Sequence, residues 1–127
     1  MDFLPVFQNV KGRLCLVVGG GAVGTRKAGV LLEAGAKVRV VAPEIDDELK
    51  SNANVEAVVA RFEEKHFDGV TLIIAATNDR SVNKQVSELA QARNIPADVV
   101  DDPELWSFIR HAQLDRSPPM VAICSGC

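Results

Sequence analysis

The sequence predicts an α/β domain built on a doubly wound, mainly parallel sheet. Three features point there: segments of strand and helix character alternate, the strand segments are continuous aliphatic runs, and a glycine-rich turn joins the first run to the first helix. With 127 residues, 47% of them apolar, the chain can bury one core and has little room for a second, so a single domain over residues 1–127 is expected.

After a turn at Lys11 and Gly12, residues 14–18 (LCLVV) read as a strand covered on both faces. From about Val23 to Ala34 the spacing becomes helical, with Ala28, Leu31 and Leu32 on one face and Gly35 placed to close the helix in a left-handed cap. Lys37 to Val41 reads as the second strand, Val55 to Ala60 as the third and Val70 to Ala76 as the fourth. Ser81 to Asn94 follows as a second helix, with Val82, Val86, Leu89 and Ala90 on one stripe. Ala97 to Val100 is expected as strand five, and Pro119 to Cys124 holds a last short apolar run. Such an order places a ligand crevice outside the carboxyl ends of the strands.

The formal net charge of −3 gives no global reason to expect nucleic acid or an anionic membrane as partner. Residues 1–12 show no basic leader followed by a long apolar run, and no later run approaches the roughly 20 apolar residues that span a bilayer, so a cytoplasmic protein is expected. Three cysteines, Cys15, Cys124 and Cys127, are too few for a secreted disulfide framework. Cys124 and Cys127 form a CxxC, yet no second pair completes a zinc site and no helix follows as a redox motif needs. No metal site is expected, and Cys15 reads as a small buried apolar residue.

The stretch VVGGGAVGTRKA, residues 17–28, is the most informative of the chain. Gly19, Gly21 and Gly24 satisfy GxGxxG after a strand and before a helix, which is where a dinucleotide cradle must lie. The first glycine permits the tight turn, the second lets backbone approach a pyrophosphate, and the third lets helix and strand pack closely. Ala22 and Val23 belong to the same cradle, and the free N–H groups of the helix start face the anion. Arg26 and Lys27 are expected in the first turn, where the macrodipole disfavours cations and a nearby anion would offset that. An acidic residue usually ends the second strand to bind the adenosine ribose, but Val40, Val41 and Ala42 stand there instead. Pro43 and Glu44, just beyond, are the candidates for lining that pocket, while Arg39 lies inside the strand and is not an obvious ligand for a 2′-phosphate.

Taken together these residues resemble a known family, the siroheme synthase amino-terminal domains, which are precorrin-2 dehydrogenases and in some cases sirohydrochlorin ferrochelatases. The resemblance runs through LPVF, VVGGGAVGTRKA, LLEAGAKVRVVAPE, IIAATND, DVVDDPELWSFI and DRSPPMVAICSG, in this order along nearly the whole chain. It implies a Rossmann-like sheet, NAD as cofactor, and oxidation of precorrin-2 to sirohydrochlorin in sirohaem biosynthesis. It further implies ferrous iron as a co-substrate where the ferrochelatase activity occurs, and a homodimer. Family members continue into a helical dimerisation region beyond the SG segment, so a cofactor domain lacking that region is expected here.

Dehydrogenation of a reduced macrocycle needs a hydride acceptor and a base, and a carboxylate near the cofactor is a sensible base. Asp101 follows the fifth strand at the carboxyl edge of the sheet, and by resemblance it is the catalytic residue. Asp102 alternates to the other side of an extended chain and reads as part of a turn with Pro103. Thr77 and Asn78 follow the fourth strand; the resemblance makes them cofactor contacts, while their residue types, with Asp79, equally suit a helix cap. The substrate's eight carboxylates give Arg26, Lys27 and Arg116 a purpose, with Arg110 and His111 also worth testing, and Ser125 is placed by resemblance at the substrate site. His66, in the polar segment EEKHFD, is expected to be exposed and inert. The same sheet and turn would also serve a regulatory module that binds NAD(H) without turnover and has no use for Asp101.

Overall fold

A computed structural model describes residues 5–100 and 120–124 of the chain. The order of elements is β1 (Pro5–Asn9), β2 (Leu14–Val18), α1 (Ala22–Glu33), β3 (Lys37–Ala42), a single helical turn α2 (Asp47–Lys50), β4 (Val55–Val59), a 3-10 turn (Glu64–Phe67), β5 (Leu72–Ala75), α3 (Arg80–Ala92), β6 (Ala97–Val99) and β7 (Met120–Cys124). Five strands form one sheet in the order β4-β3-β2-β5-β6, and every neighbouring pair is parallel. The chain starts this sheet in the middle with β2, builds outward through β3 and β4, then returns to add β5 and β6 on the other side. That reversal is the topological switch point of a doubly wound, Rossmann-like sheet, and it lies between β2 and β5.

Burial follows from the alternation of side chains along β2. Cys15 and Val17 join Ala28 and Leu31 of α1, with Val38, Val40, Leu72 and Ile74 from the flanking strands, in one apolar layer. Leu16 and Val18 face the opposite way and pack with Ile73, Ala75, Phe67 and the α3 residues Val86 and Ala90. A strand buried on both faces needs the unbroken aliphatic run that β2 and β5 carry. β4, at the sheet edge, is only partly covered.

Both longer helices end in the same way. Gly35 has φ +84°; its N–H donates to the Leu32 carbonyl at 3.0 Å and the Ala36 N–H to the Leu31 carbonyl at 3.1 Å, a Schellman closure of α1. Asn94 takes the same left-handed conformation at φ +56°, with Asn94 N–H on Gln91 and Ile95 N–H on Ala90. The second helix therefore stops at Ala92 rather than running to Asn94 as the sequence pattern suggests.

The last apolar run forms β7, which pairs antiparallel with β1, from Pro5 opposite Cys124 to Asn9 opposite Met120. The expectation for His66 is corrected. His66 is buried, at 7% exposure, because the aromatic residues beside it draw its segment onto the sheet. Phe67 is 1% exposed, the Phe62 ring lies 5.5 Å from it and 6.1 Å from the imidazole, and His66 Nδ1 accepts the Glu63 N–H at 2.9 Å. Among the described residues no helix is long and apolar enough to cross a membrane.

Candidate functional site

The glycine turn leaves the carboxyl end of β2 at the switch point, and its glycines have different reasons to be glycine. Gly19 has φ +128°, and a Cβ there would stand 2.5 Å from the Ala76 carbonyl oxygen and 3.2 Å from the Thr77 nitrogen. The turns after β2 and β5 thus meet in direct backbone contact. Gly24 lies in α1 against the Gly19 carbonyl, which a Cβ would overlap; bare backbone is what lets the helix pack so near the strand. A Cβ on Gly20 would collide with the Glu44 carbonyl, so the loop carrying Pro43 and Glu44 is seated on the turn from the β3 side.

Gly21 differs from all three. Among the described residues a Cβ on it would meet nothing within 4 Å, and its φ of −78° is one that any residue adopts. No contact with a described residue requires glycine there. Gly21 is also the N-cap of α1, without a capping side chain and with no acidic residue in the first turn. The first-turn N–H groups and the positive end of the helix dipole are thereby left for an anion from outside the chain. This clearance above uncapped amides fits a dinucleotide pyrophosphate.

Beside the turn lies a cavity of about 170 Å³ lined by Val23, Ala76, Thr77, Asn78, Arg80, Asn83 and Val100. It joins the start of α1, the end of β5, the first turn of α3 and the residue after β6. Among the cofactor-side residues, Val23, Thr77 and Asn78 are brought together here, and Gly19 abuts the same segment. Asp79 caps α3, its carboxylate accepting the Ser81 hydroxyl at 2.6 Å and the Ser81 N–H at 2.9 Å. Those bonds hold its carboxyl below the usual range. Thr77 shares in this N-terminal structure: its Oγ1 accepts the Asp79 N–H at 3.1 Å.

The basic pair divides. Arg26 is exposed, whereas Lys27 is fully buried and is among the largest buried side chains of the fold. Because α1 begins at Ala22, both fall in its second turn and not its first, beyond the reach assumed for the macrodipole. The Arg39 guanidinium is engaged within the fold: Nη1 donates to the carbonyls of His66 and Asp68 at 2.8 and 2.9 Å, and Nε faces Glu56. Asp101, Asp102, Arg110, His111, Arg116, Ser125 and Cys127 lie outside the described residues. Val100, immediately before Asp101, lines the cavity and donates its N–H to the Ala75 carbonyl at 2.9 Å. Among the described residues no group of three or more metal-ligating side chains is assembled.

The sequence reading passed over Asn83, Arg80 and Val100. Asn83 had a signal: it is a polar residue beside Val82 on the stripe that α3 buries, and it is only 4% exposed.

Comparison with known proteins agrees with this geometry. A family model described as "Putative NAD(P)-binding" matches residues 6–112. Siroheme synthases from Pseudomonas aeruginosa and Ectopseudomonas mendocina are 50% and 49% identical over 99% of this chain, which covers 28% of each relative. One from Nitrosomonas eutropha is 47% identical, with 27% of its length covered. The chain thus spans just over a quarter of the length of the curated relatives it matches. A solved structure titled "SirC, precorrin-2 dehydrogenase" superposes with a TM-score of 0.65 at 31% identity, over 76% of this chain and 49% of that one. The family match runs from β1 through the glycine turn and past β6, and on that extent the chain belongs to the "Putative NAD(P)-binding" family.

Proposed function

We propose that this domain oxidises precorrin-2 to sirohydrochlorin with NAD as the acceptor, a step of sirohaem biosynthesis. The single observation that carries the cofactor half is Gly21, a glycine that no contact with a described residue requires, above uncapped helix amides at the switch point. The substrate half is supported by the likeness to siroheme synthases and to a structure titled precorrin-2 dehydrogenase.

When bound, NAD supplies the acceptor for the hydride that leaves the macrocycle. The turn of Gly19, Gly21, Ala22, Val23 and Gly24 holds the pyrophosphate, and Pro43 and Glu44 border the adenosine side. Thr77 and Asn78 form the rim beside β5. Oxidation removes two hydrogens, one as hydride and one as a proton, and Asp101 takes the proton. Its place is the residue after Val100, which lines the cavity. Arg26, with Arg116 and Ser125, meets the substrate carboxylates. Ferrous iron insertion, as a second activity, would treat the metal as a substrate held by the macrocycle, and the family resemblance adds a homodimer as the assembled form.

The test is anaerobic conversion of precorrin-2 with NAD by wild type and Asp101→Ala, with NADH binding measured alongside and ferrous iron added in a second series. Turnover is expected to fall about 10²–10⁴-fold in the variant while NADH still binds. NADH binding without wild-type turnover would instead identify a regulatory module, and undiminished turnover in Asp101→Ala would remove that residue from the reaction.

A further inference from the structure

We propose that Asn83 is a positioning residue for the cofactor site: its buried side-chain amide clamps the backbone N–H and C=O of Thr77 and so fixes the segment that forms both the cavity wall and the seat of the glycine turn. The inference rests on the NAD-binding reading above and extends it to a residue that reading does not include.

The ladder between β5 and its neighbours ends just before the cavity. Ala76 N–H still reaches the Val18 carbonyl at 2.8 Å, and the Ala75 carbonyl still accepts from Val100. At Thr77 the Asn83 side chain takes over. Asn83 Nδ2 donates to the Thr77 carbonyl at 3.0 Å, and Asn83 Oδ1 accepts the Thr77 N–H at 3.2 Å. The Thr77 hydroxyl, with one proton to share, stands 2.9 Å from both Asn83 Oδ1 and the Asp79 carbonyl. A primary amide is the side chain that can donate to the C=O and accept from the N–H of one residue at once, as a neighbouring strand would.

Thr77 has two further duties. Its nitrogen lies where a Cβ on Gly19 would come within 3.2 Å, so the turn after β5 braces the glycine turn. Thr77 and Asn78 also line the cavity that Asn83 itself borders. Loss of the clamp leaves a peptide donor and acceptor partly buried without partners, and the segment must move to find water. Movement there displaces the cofactor's rim and loosens the brace on Gly19 together.

The experiment compares the full chain with Asn83→Ala, Asn83→Asp and, as a control, Val86→Ala on the same buried helix face. Amide hydrogen exchange at Thr77 and Asn78 in the free protein reads the clamp, and NADH fluorescence well below each melting temperature reads the site. Asn83→Ala is expected to speed exchange at Thr77 and to weaken NADH binding by about tenfold or more, as small misplacements of positioning groups do. Asn83→Asp keeps the acceptor and loses the donor, so it should fall between wild type and Ala in exchange. Val86→Ala should lower the melting temperature with NADH affinity unchanged. Unchanged exchange in Asn83→Ala would overturn the clamp. Faster exchange with wild-type NADH affinity, or an equal loss of affinity in Val86→Ala, would overturn the positioning role. A wild type that binds neither NADH nor NADPH would overturn the proposed function and, with it, the cofactor role of Asn83, while exchange at Thr77 would still report the clamp.

Discussion

Gly24 packs its α-carbon against the carbonyl of Gly19, so closely that any side chain at residue 24 would overlap that oxygen. One glycine of the motif thus serves the other, whereas a side chain on Gly21 between them would meet nothing among the described residues.

A contrast between two alanine substitutions follows. Gly24→Ala must push α1 off β2 and is expected to destabilise the fold by about 1–3 kcal/mol, as overpacking does. Gly21→Ala should change stability by less than about 1 kcal/mol, since the lost flexibility of the unfolded chain and the small capping difference oppose one another. Its effect should appear in NADH affinity, through a methyl group standing where the pyrophosphate must approach. Urea unfolding and NADH titration of the two variants check this; Gly21→Ala binding NADH as wild type does would remove the pyrophosphate from that surface.

Arg26 and Lys27 are adjacent in sequence and opposite in environment, which predicts opposite phenotypes. Arg26→Ala changes an exposed side chain, and its stability should stay within about 0.5 kcal/mol of wild type. Lys27→Ala removes a fully buried side chain whose interactions are made inside the fold, and a loss of about 3 kcal/mol or more is expected. Denaturant midpoints decide between them. Equal, small effects would show that the Lys27 ammonium reaches solvent.

The parallel sheet was legible because both faces of β2 and β5 are covered, and that demands aliphatic runs no loop would carry. The glycine turn was legible for a similar reason: Gly19 and Gly24 are forced by backbone contact, and such contacts leave a fixed spacing. Pairing of β1 with β7 was not, since the partners are more than a hundred residues apart and nothing local encodes their register. Burial of His66 was hidden by the charged residues around it, because the ring it packs against is Phe62, which in turn packs on the buried Phe67. Lys27 shows the limit of reading charge as exposure. Its position, next to Ala28 on the face that α1 turns to the sheet, was the better guide.

Cys15 is fully buried in β2, and that desolvation pushes its thiol from 9.0 up to about 11, with Thr71 opposing weakly. At about pH 8 the thiolate fraction falls from about one in ten for an exposed group to about one in a thousand. Alkylation followed by peptide mapping, which separates Cys15 from Cys124 and Cys127, should find Cys15 unmodified until the protein unfolds. Because the raised value favours the neutral thiol in the folded state, this contribution to stability is full below pH 9.0 and is lost as the pH rises towards about 11. Rapid labelling of Cys15 in the native protein would mean that β2 opens locally.

Asp79 should make the α3 end of the site acid-sensitive. Its carboxylate accepts the Ser81 hydroxyl, the Ser81 N–H and the Val82 N–H, and these bonds hold its carboxyl below the ordinary 3.8. A carboxyl lowered in the folded state contributes stability above its unfolded value, and that contribution disappears as the pH falls through the folded one. Asp79→Asn keeps an acceptor for the cap but has no charge to lose. The variant should therefore be less stable than wild type near neutral pH, and the difference should shrink as the pH is taken below 3.8. Urea midpoints of the two proteins between about pH 6 and about pH 3 measure it directly. The consequence reaches the site because Asp79 and Thr77 are bonded to each other: the Thr77 hydroxyl that accepts the Asp79 N–H also faces Asn83. A pH-independent difference would place the source of the stabilisation in the cap's shape and not in its charge.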